Sequence, residues 1–353
     1  MEHHLKERRK TMPKILLIGP RQNKYNLTDT GGVSILFELL IDELSNQKIN
    51  FTIIDTLKAN YKNKLMFFHI ILQLLKKIPK HEHISLHATM NSFLILAPLI
   101  IILSKLFSKK TSIRKFAGSF NDVYHNSNFL KKWIIRLILK NTDYLFFETK
   151  YLVNEFKKYN SNIYWFPNVR DASIQMKKQR TFVKKFVYIG SINKEKGIDE
   201  LCEAISHLDE SYTCDIYGPF KFKNEKYSIQ YFKEKGVNYK GSLSASEVLK
   251  VMDNYDVLVL PSHREGYPGI IIEAFALGIP VIATKLSGIM EMCEDGKNSL
   301  LINPKDSEDL LLAIKSINKK KYLELQKEAS SSFKKFNSRI QTTMYLKKID
   351  ILF

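Results

Sequence analysis

Two glutamates stand eight positions apart in the apolar run EGYPGIIIEAFALGIPVIA, with Glu265 at its start and Glu273 inside it. Pro268 suits the first turn of a helix and Gly278 suits the position after the last turn, so the run predicts a helix over residues 269–277. That helix is apolar on every side except at Glu273, and we therefore expect it to be buried. A buried ionised carboxylate costs several kcal/mol unless it is hydrogen-bonded, so Glu273 needs a partner.

The start of this helix is a candidate anion-binding site. The first N–H groups of a helix have no partner within it and carry partial positive charge. Pro268 has no N–H, so the expected donors are the amides of Gly269 and Ile270. With carboxylates on either side, the site fits a molecule that carries phosphate at one point and hydroxyl groups around it, such as a nucleotide sugar. The alternative is that Glu273 pairs with a buried arginine or lysine of the protein.

Two glycine-containing loops are further candidates. The loop GSINKEKG, Gly190–Gly197, follows an apolar strand-like run, and ligands of parallel sheets bind at the carboxyl ends of strands. Lys196 near the end of this loop could neutralise a diphosphate as a point charge, or it could be an ordinary solvated lysine. Gly31 and Gly32 precede a helical pattern in a similar way, although such a pair often serves only the backbone.

The order of the predicted elements indicates an α/β fold with two domains. The continuous apolar runs from Lys14 and from Phe186 are typical of a first strand that is covered on both faces. After each of them, strand-like runs alternate with helical patterns, which predicts a doubly wound parallel sheet. The later strand-like runs begin at Phe51, Ile84, Tyr144, Cys214, Asp256 and Pro280. Because the series starts twice, the polar segment 165–180 is predicted to join two such domains.

At this point the sequence resembles the retaining glycosyltransferases of family 4, which have the GT-B fold of two Rossmann-like doubly wound domains facing a central cleft. The pieces that carry the resemblance are EGYPGIIIEA, AFALGIPVIA and SGIMEMCEDG. It implies a polar N-terminal extension over residues 1–12 and an acceptor-binding domain over 13–168. It also implies a nucleotide-sugar-binding domain over 169–332 and a helix over 333–353 that crosses back to the first domain.

The same resemblance assigns roles to the candidate residues. Glu273 would bind the ribose hydroxyls and Glu265 those of the donor sugar, while Lys196 and the amides after Pro268 would contact the diphosphate. Lys196 and Glu265 are also the residues assigned to catalysis. The complete predicted donor site comprises Gly31, Gly32, Ser191, Lys196, Glu265, Tyr267, Pro268, Gly269, Ile270 and Glu273.

The sequence departs from the family pattern at two places. Ser191 stands where the family usually has an arginine after the strand glycine, so Lys196 alone or another cation such as Arg264 would balance the diphosphate. Ala117 and Gly118 stand where a His-Gly pair is usual. Arg114, Lys115 and His87 are therefore candidate acceptor or phosphate contacts, with a packed histidine as the alternative for His87.

The resulting prediction is a metal-independent retaining glycosyltransferase with a nucleotide diphosphate sugar as donor, for which we expect UDP as the nucleotide. The sugar would be transferred to a hydroxyl of a lipid-linked or other glycan, as in surface polysaccharide biosynthesis. The sequence contains no D-x-D triplet, and we expect neither a metal nor a cofactor besides the donor. The alternatives are a nucleotide-sugar 2-epimerase of the same fold and a non-catalytic relative that binds a nucleotide sugar.

The net charge of +19 is unevenly distributed: residues 51–200 hold 26 Lys and Arg against 10 Asp and Glu. No nucleic-acid-binding motif accompanies this surplus, so an anionic membrane or a phosphate-bearing substrate is expected rather than nucleic acid, unless the charge reflects compositional bias. The segment 128–141 predicts a helix with Leu130, Ile134, Leu137 and Ile138 towards the core. Its expected membrane-docking residues are Phe129, Lys132, Trp133, Arg136 and Lys140. The alternative is a core helix with an ordinary solvated face.

The remaining sequence features predict a cytoplasmic protein that lies on the inner face of the cell membrane. The three cysteines form no C-x-x-C pair, which fits a reducing compartment. The N-terminus does not have the pattern of a signal peptide. The longest apolar run, Phe93–Leu103, has 11 residues, whereas a membrane-spanning helix needs roughly 20.

Overall fold

The computed structural model describes residues 14–25, 32–61, 65–116, 120–171, 173–174, 181–220 and 227–352. It divides into two compact units, the first formed by Met1–Val169 with Ser338–Phe353 and the second by Arg170–Asn337. Each unit contains a parallel six-stranded sheet with helices. The predicted fold class, α/β with two Rossmann-like doubly wound domains, is confirmed.

The sheet of the first unit has the order β2-β1-β3-β4-β5-β6. Its strands are β1 (Ile15–Gly19), β2 (Phe51–Asp55), β3 (His83–Ala88), β4 (Lys110–Lys115), β5 (Tyr144–Phe147) and β6 (Ile163–Trp165). Its helices are α1 (Gly32–Asn46), α2 (Met66–Lys77), α3 (Met90–Leu106), α4 (Phe120–His125), α5 (Phe129–Asn141), α6 (Lys150–Phe156) and, from the end of the chain, α14 (Ser338–Lys348).

Two cores cover the two faces of this sheet. Ile15 and Leu17 of β1 pack with side chains of α1 and α14, whereas Leu16 and Ile18 belong to the core formed with α2, α3, α5 and α6. Successive side chains of a strand point to opposite faces. Because both faces of the sheet are covered, every residue of β1 is buried. This explains why the strand is apolar at each position rather than at alternate ones.

The second unit repeats this architecture with the order β12-β11-β10-β7-β8-β9. Its strands are β7 (Lys185–Ile189), β8 (Thr213–Tyr217), β9 (Asn238–Tyr239), β10 (Val257–Leu260), β11 (Val281–Thr284) and β12 (Ser299–Ile302). Its helices are α7 (Ile198–Ser206), α8 (Ile229–Glu234), α9 (Ala245–Met252), α10 (Gly269–Ala276), α11 (Ser287–Met290), α12 (Ser307–Ser316) and α13 (Lys319–Ser332).

The strand order of the second unit reverses between β7 and β10, which are parallel neighbours. The chain runs from β7 outward to β9 in one direction and from β10 outward to β12 in the other. The loops that follow β7 and β10 therefore lie side by side at one edge of the sheet. This is the switch point at which open α/β sheets bind their ligands.

The end of the chain differs in detail from the sequence prediction, which started a separate C-terminal segment at residue 333. Residues Phe333–Phe336 form a short 3-10 helix that groups with the second unit, and α14 groups with the first. The hydroxyl of Tyr345 in α14 lies 2.7 Å from Ser85 Oγ and 3.1 Å from Ser112 Oγ. These polar contacts hold α14 on the sheet. The predicted extension over residues 1–12 lies outside the described residues.

The core face predicted for α5 is partly wrong. Ile135, Ile138 and Leu139 are buried, whereas Leu130 is 62% exposed and Leu137 is 40% exposed. In the described parts of the chain, no helix is both long and apolar enough to cross a bilayer.

Candidate functional site

Helix α10 forms the centre of the candidate site, and it occupies the place that the proline and glycine signals predicted. Pro268 precedes the first helical residue in an extended conformation, and the helix extends from Gly269 to Ala276. Its apolar residues from Ile271 onward are buried, as the sequence pattern required. Glu273, the charged residue of the helix, has a side chain that is 17% exposed.

The loop after β7 is held against the loop after β10 by close backbone packing. Gly197 has a left-handed backbone with φ of 70°, and a Cβ atom placed on it would lie 2.0 Å from the carbonyl oxygen of Pro261. The amide of His263 donates a 2.9 Å hydrogen bond to the carbonyl oxygen of Glu195. Only glycine fits such a close approach at positive φ, and the result is that Lys196 is brought over the second loop.

Lys196 and Glu265 form an ion pair at this edge of the sheet. The Nζ–Oε1 distance is 2.6 Å, and the side chains are 27% and 13% exposed. Ser262 Oγ donates a 2.8 Å hydrogen bond to the same carboxylate oxygen. Burial raises the pKa of the nearby Tyr188 hydroxyl, and the charge of Glu265 adds to the shift as a smaller cause. The structure thus brings together two of the predicted donor-site residues.

Glu273 has an arginine as its partner. Arg170 Nε lies 2.6 Å from Glu273 Oε1, and each side chain is 17% exposed. Arg170 is the first residue of the second unit, and its amide donates a 3.0 Å hydrogen bond to the carbonyl oxygen of Phe336. The structure therefore shows the alternative that the sequence left open, in which Glu273 pairs with a basic residue of the protein itself.

Arg170 is the site residue that sequence reasoning missed. It lies 103 positions before Glu273, in the polar segment predicted to join the domains. The signal that could have identified it is the requirement that a mostly buried carboxylate has a positive partner. The sequence could not show which of its many basic residues meets that requirement.

The other predicted donor-site residues of the second unit lie in the same loops. Tyr267 is buried, and its ring lies 6.3 Å from that of Phe336. The carbonyl oxygen of Ser191 accepts a 2.8 Å hydrogen bond from the Tyr188 hydroxyl. In the first unit, Gly32 is the exposed first residue of α1, and Gly31 lies outside the described residues.

The predicted acceptor contacts His87, Arg114 and Lys115 are buried, each with at most 1% exposure. Burial lowers the pKa of all three: that of Arg114 to about 9, that of Lys115 to about 8, and that of His87 well below its usual value, with the charge of Arg114 as a second cause for His87. The nearby charge of Glu148 opposes the shift at the two cations. His87 is therefore a neutral imidazole at physiological pH.

Arg114 makes structural contacts with the end of the first unit. Its guanidinium carbon lies 3.7 Å from the centre of the Phe166 ring, and Nη2 donates a 2.7 Å hydrogen bond to the carbonyl oxygen of Pro167. Within the described residues, Arg114 Nε and Nη1 and His87 Nδ1 have no hydrogen-bond partner. An acceptor role for these residues stays a prediction. Ala117 and Gly118 lie outside the described residues.

The comparison with protein families concerns the unit that carries these ion pairs. Residues 170–336 match the family model of the group 1 glycosyl transferases. The match extends over the second unit almost from end to end, so the Glu265–Lys196 and Glu273–Arg170 pairs both lie in the group 1 segment.

Two curated relatives match part of the chain. One is TuaC of Bacillus subtilis (strain 168), a glycosyltransferase assigned to teichuronic acid biosynthesis. It is 37% identical over 129 residues, which are 36% of this chain and 31% of TuaC. The other is the N,N'-diacetylbacillosaminyl-diphospho-undecaprenol alpha-1,3-N-acetylgalactosaminyltransferase of Campylobacter jejuni. It is 26% identical over 157 residues, 44% of this chain and 41% of that enzyme. The matched segments thus span less than half of each relative.

Two solved structures resemble the whole chain. HepE of Anabaena in complex with UDP has a TM-score of 0.74 at 14% identity, over 96% of this chain and all of HepE. The lipopolysaccharide outer core galactosyltransferase WaaB has a TM-score of 0.65 at 17% identity, over 96% of this chain and 99% of WaaB. At this level of identity the likeness establishes the two-domain GT-B fold.

Proposed function

We propose that the protein is a retaining glycosyltransferase of family 4 that transfers a sugar from a nucleotide diphosphate sugar, specifically a UDP-sugar, to a hydroxyl of a glycan acceptor. The observation that carries the proposal is the pair of carboxylate–cation contacts in the group 1 segment, Glu265 with Lys196 and Glu273 with Arg170. Glu265 precedes the start of α10, and Glu273 lies within the helix. The relatives' names add support, since both are glycosyltransferases.

The two ion pairs suggest how the donor binds. A diphosphate at the start of α10 takes hydrogen bonds from the amides of Gly269 and Ile270 and charge from Lys196. Glu265 is then available to hydroxyl groups of the sugar, and Glu273 to those of the ribose. The ligand thereby replaces contacts between groups of the protein with contacts of the same kind, so no carboxylate becomes buried without a partner.

This arrangement also suggests how transfer is promoted. The bond between the sugar C1 and the diphosphate oxygen breaks, and a bond from C1 to the acceptor oxygen forms on the same face of the sugar. The acceptor proton passes to the released diphosphate or to water. Lys196 and the helix amides stabilise the charge that develops on the diphosphate, which is the type of electrostatic contribution that lowers barriers most. No metal ion takes part in this proposal.

The acceptor is proposed to be a lipid-linked glycan of surface polysaccharide biosynthesis. The name of the C. jejuni relative specifies a diphospho-undecaprenol acceptor, and TuaC is assigned to a cell-wall polymer. A lipid-linked acceptor would be reached from a membrane surface, on the cytoplasmic side where nucleotide sugars are made.

We further propose that the first unit docks on an anionic membrane through α5. Phe129 is 81% and Trp133 is 51% exposed, which an ordinary solvated face would rarely show. The exposure of Leu130, which the sequence had placed towards the core, enlarges this apolar patch. Lys132 and Lys140 are on the same helix. Arg136 is less available to lipid, because its Nε donates a 2.7 Å hydrogen bond to the Tyr124 hydroxyl.

Neighbouring helices extend the same surface. Helix α3 packs against α5 and exposes 65% of Ile102 and 72% of Leu106. Helix α2, on the same face of the sheet, exposes 59% of Phe68. Residues 65–141 contain twelve Lys and Arg but two Asp and Glu. Exposed apolar groups with a large positive surplus complement a surface of anionic lipid.

A donor screen followed by a transfer assay tests the enzymatic proposal. A ligand that binds only the folded state raises the unfolding temperature, so UDP and one or more UDP-sugars should stabilise the protein and uridine should do so less. The stabilising UDP-sugar, labelled in its sugar, should then label a lipid-linked glycan extract in the presence of EDTA. Product formation without any acceptor would instead indicate an epimerase. Tight binding without transfer to any extract would indicate a non-catalytic relative, and no binding of any nucleotide would overturn the proposal.

A further inference from the structure

The guanidinium of Arg170 lies against the first turn of α10. A Cβ atom placed on Gly269 would lie 2.0 Å from Nη2 of Arg170, 2.8 Å from Cζ and 3.1 Å from Nη1. The guanidinium therefore occupies the place that any side chain at position 269 would take. On its other side, Nε contacts Glu273, one helical turn further along.

This contact gives a physical reason for glycine at position 269. The residue does not have the positive φ that would favour glycine for its backbone alone. An alanine would leave the helix intact but would displace the guanidinium from the helix start. The charge of Arg170 is thus located where the free amides of α10 already favour an anion.

The charge balance of the donor site leaves room for a second cation. A nucleoside diphosphate carries at least two negative charges near neutral pH, and Lys196 supplies one positive charge. Ser191, in the loop after β7, supplies none, since its side chain is short and neutral. Arg264, in the loop after β10, is exposed to solvent, where its charge is screened.

We propose that Arg170 is a positioning residue of the donor site: it holds Glu273 through Nε, and its positive charge stabilises the diphosphate at the start of α10. The inference rests on the proposed function. A guanidinium carries five N–H donors in one rigid plane, so one arginine can orient a carboxylate through one edge and contact a phosphate through another. Arg170 thereby supplies the second positive charge of the donor site, which Ser191 does not provide.

Binding of uridine, UMP and UDP to the full chain tests this role, because the three probes differ only in phosphate. The variants are R170M, which keeps side-chain length without charge, and R170K, which keeps the charge without the fork. G269A keeps both charges but moves the guanidinium, and R264M removes the competing cation as a matched control. Circular dichroism and thermal unfolding establish that each variant is folded.

The expected result is that R170M weakens UDP binding at least tenfold and uridine binding less than threefold, with R170K intermediate. G269A should show the same selectivity for phosphate, and R264M should resemble the wild type. Equal losses for uridine and UDP, or a UDP-selective loss in R264M but not in R170M, would overturn the inference while leaving the proposed function intact. If the wild type binds no nucleoside diphosphate, the proposed function fails, and the inference fails with it.

Discussion

Replacing Lys196 with methionine tests whether the Lys196–Glu265 pair serves a ligand or only the fold. Methionine keeps most of the side-chain length but removes the charge that lies 2.6 Å from Glu265 Oε1. If Lys196 contacts the diphosphate, the variant loses one charge-assisted hydrogen bond, worth about 1.5–3 kcal/mol. Since about 1.4 kcal/mol is a factor of ten, the Kd for UDP should rise roughly 10- to 150-fold.

The same substitution should cost a measurable but smaller amount of stability. Exposed ion pairs contribute about 0–1 kcal/mol, and breaking a buried pair costs about 3–5 kcal/mol. With side chains 27% and 13% exposed, this pair lies between those cases. We expect a loss of about 1–3 kcal/mol in the free energy of unfolding. Adding E265Q should restore much of it, because no unpaired charge remains and Ser262 keeps an oxygen to donate to.

Isothermal titration calorimetry with UDP measures the change in affinity, and urea denaturation measures the change in the free energy of unfolding. K194M is the matched control, since Lys194 and Lys196 belong to one short 3-10 turn, Lys194–Lys196, and the side chain of Lys194 is exposed. It should leave both quantities nearly unchanged. Unaltered UDP affinity in a folded K196M protein would refute the diphosphate assignment. A loss of UDP affinity that K194M reproduces would show that the effect is one of general charge.

Three further measurements address other parts of the molecule. E273Q should weaken UDP binding about tenfold or more, because an amide replaces a charged acceptor, and should hardly affect a 2′,3′-dideoxy analogue; equal losses for both ligands would exclude the ribose role. The pKa of Lys115 is about 8 in the folded state, against an ordinary value of 10.5, so between these pH values the unfolded state binds more protons. The free energy of unfolding relative to that of K115M should therefore rise by about 1 kcal/mol per pH unit across that interval. A difference that does not change with pH would contradict the burial of the Lys115 charge. In flotation assays the protein should bind liposomes that contain anionic lipid, and should bind them less at high salt. The double variant K132E/K140E should reduce this binding, whereas K319E/K320E on α13 should not. Equally strong binding to neutral liposomes would refute electrostatic docking.

The residues of the group 1 segment could be located from sequence because their positions depend on local rules. Helix α10 follows from Pro268 and Gly278, and the adjacency of the loops after β7 and β10 follows from the parallel order of strands. Arg170 could not be found in this way, since its contact with Glu273 joins segments 103 positions apart. The core face predicted for α5 was partly wrong for a related reason. The helical period allows either of two adjacent apolar stripes, and packing against α3 selects Ile135 and Leu139.

The paired carboxylates also bear on how tightly a donor can bind. In the described structure, Glu265 and Glu273 each have a cation within 2.6 Å. A donor that recruits Lys196 must weaken the pair of that lysine with Glu265, while Arg170 keeps its contact with Glu273 through Nε. Hydroxyl groups of the donor then replace what Glu265 loses. Binding is then an exchange of polar contacts rather than a net gain of them, and its free energy depends on whether phosphate and hydroxyls arrive together. A nucleoside without phosphate, or free diphosphate without a nucleoside, supplies half of the exchange and should bind much more weakly than the two joined in one molecule.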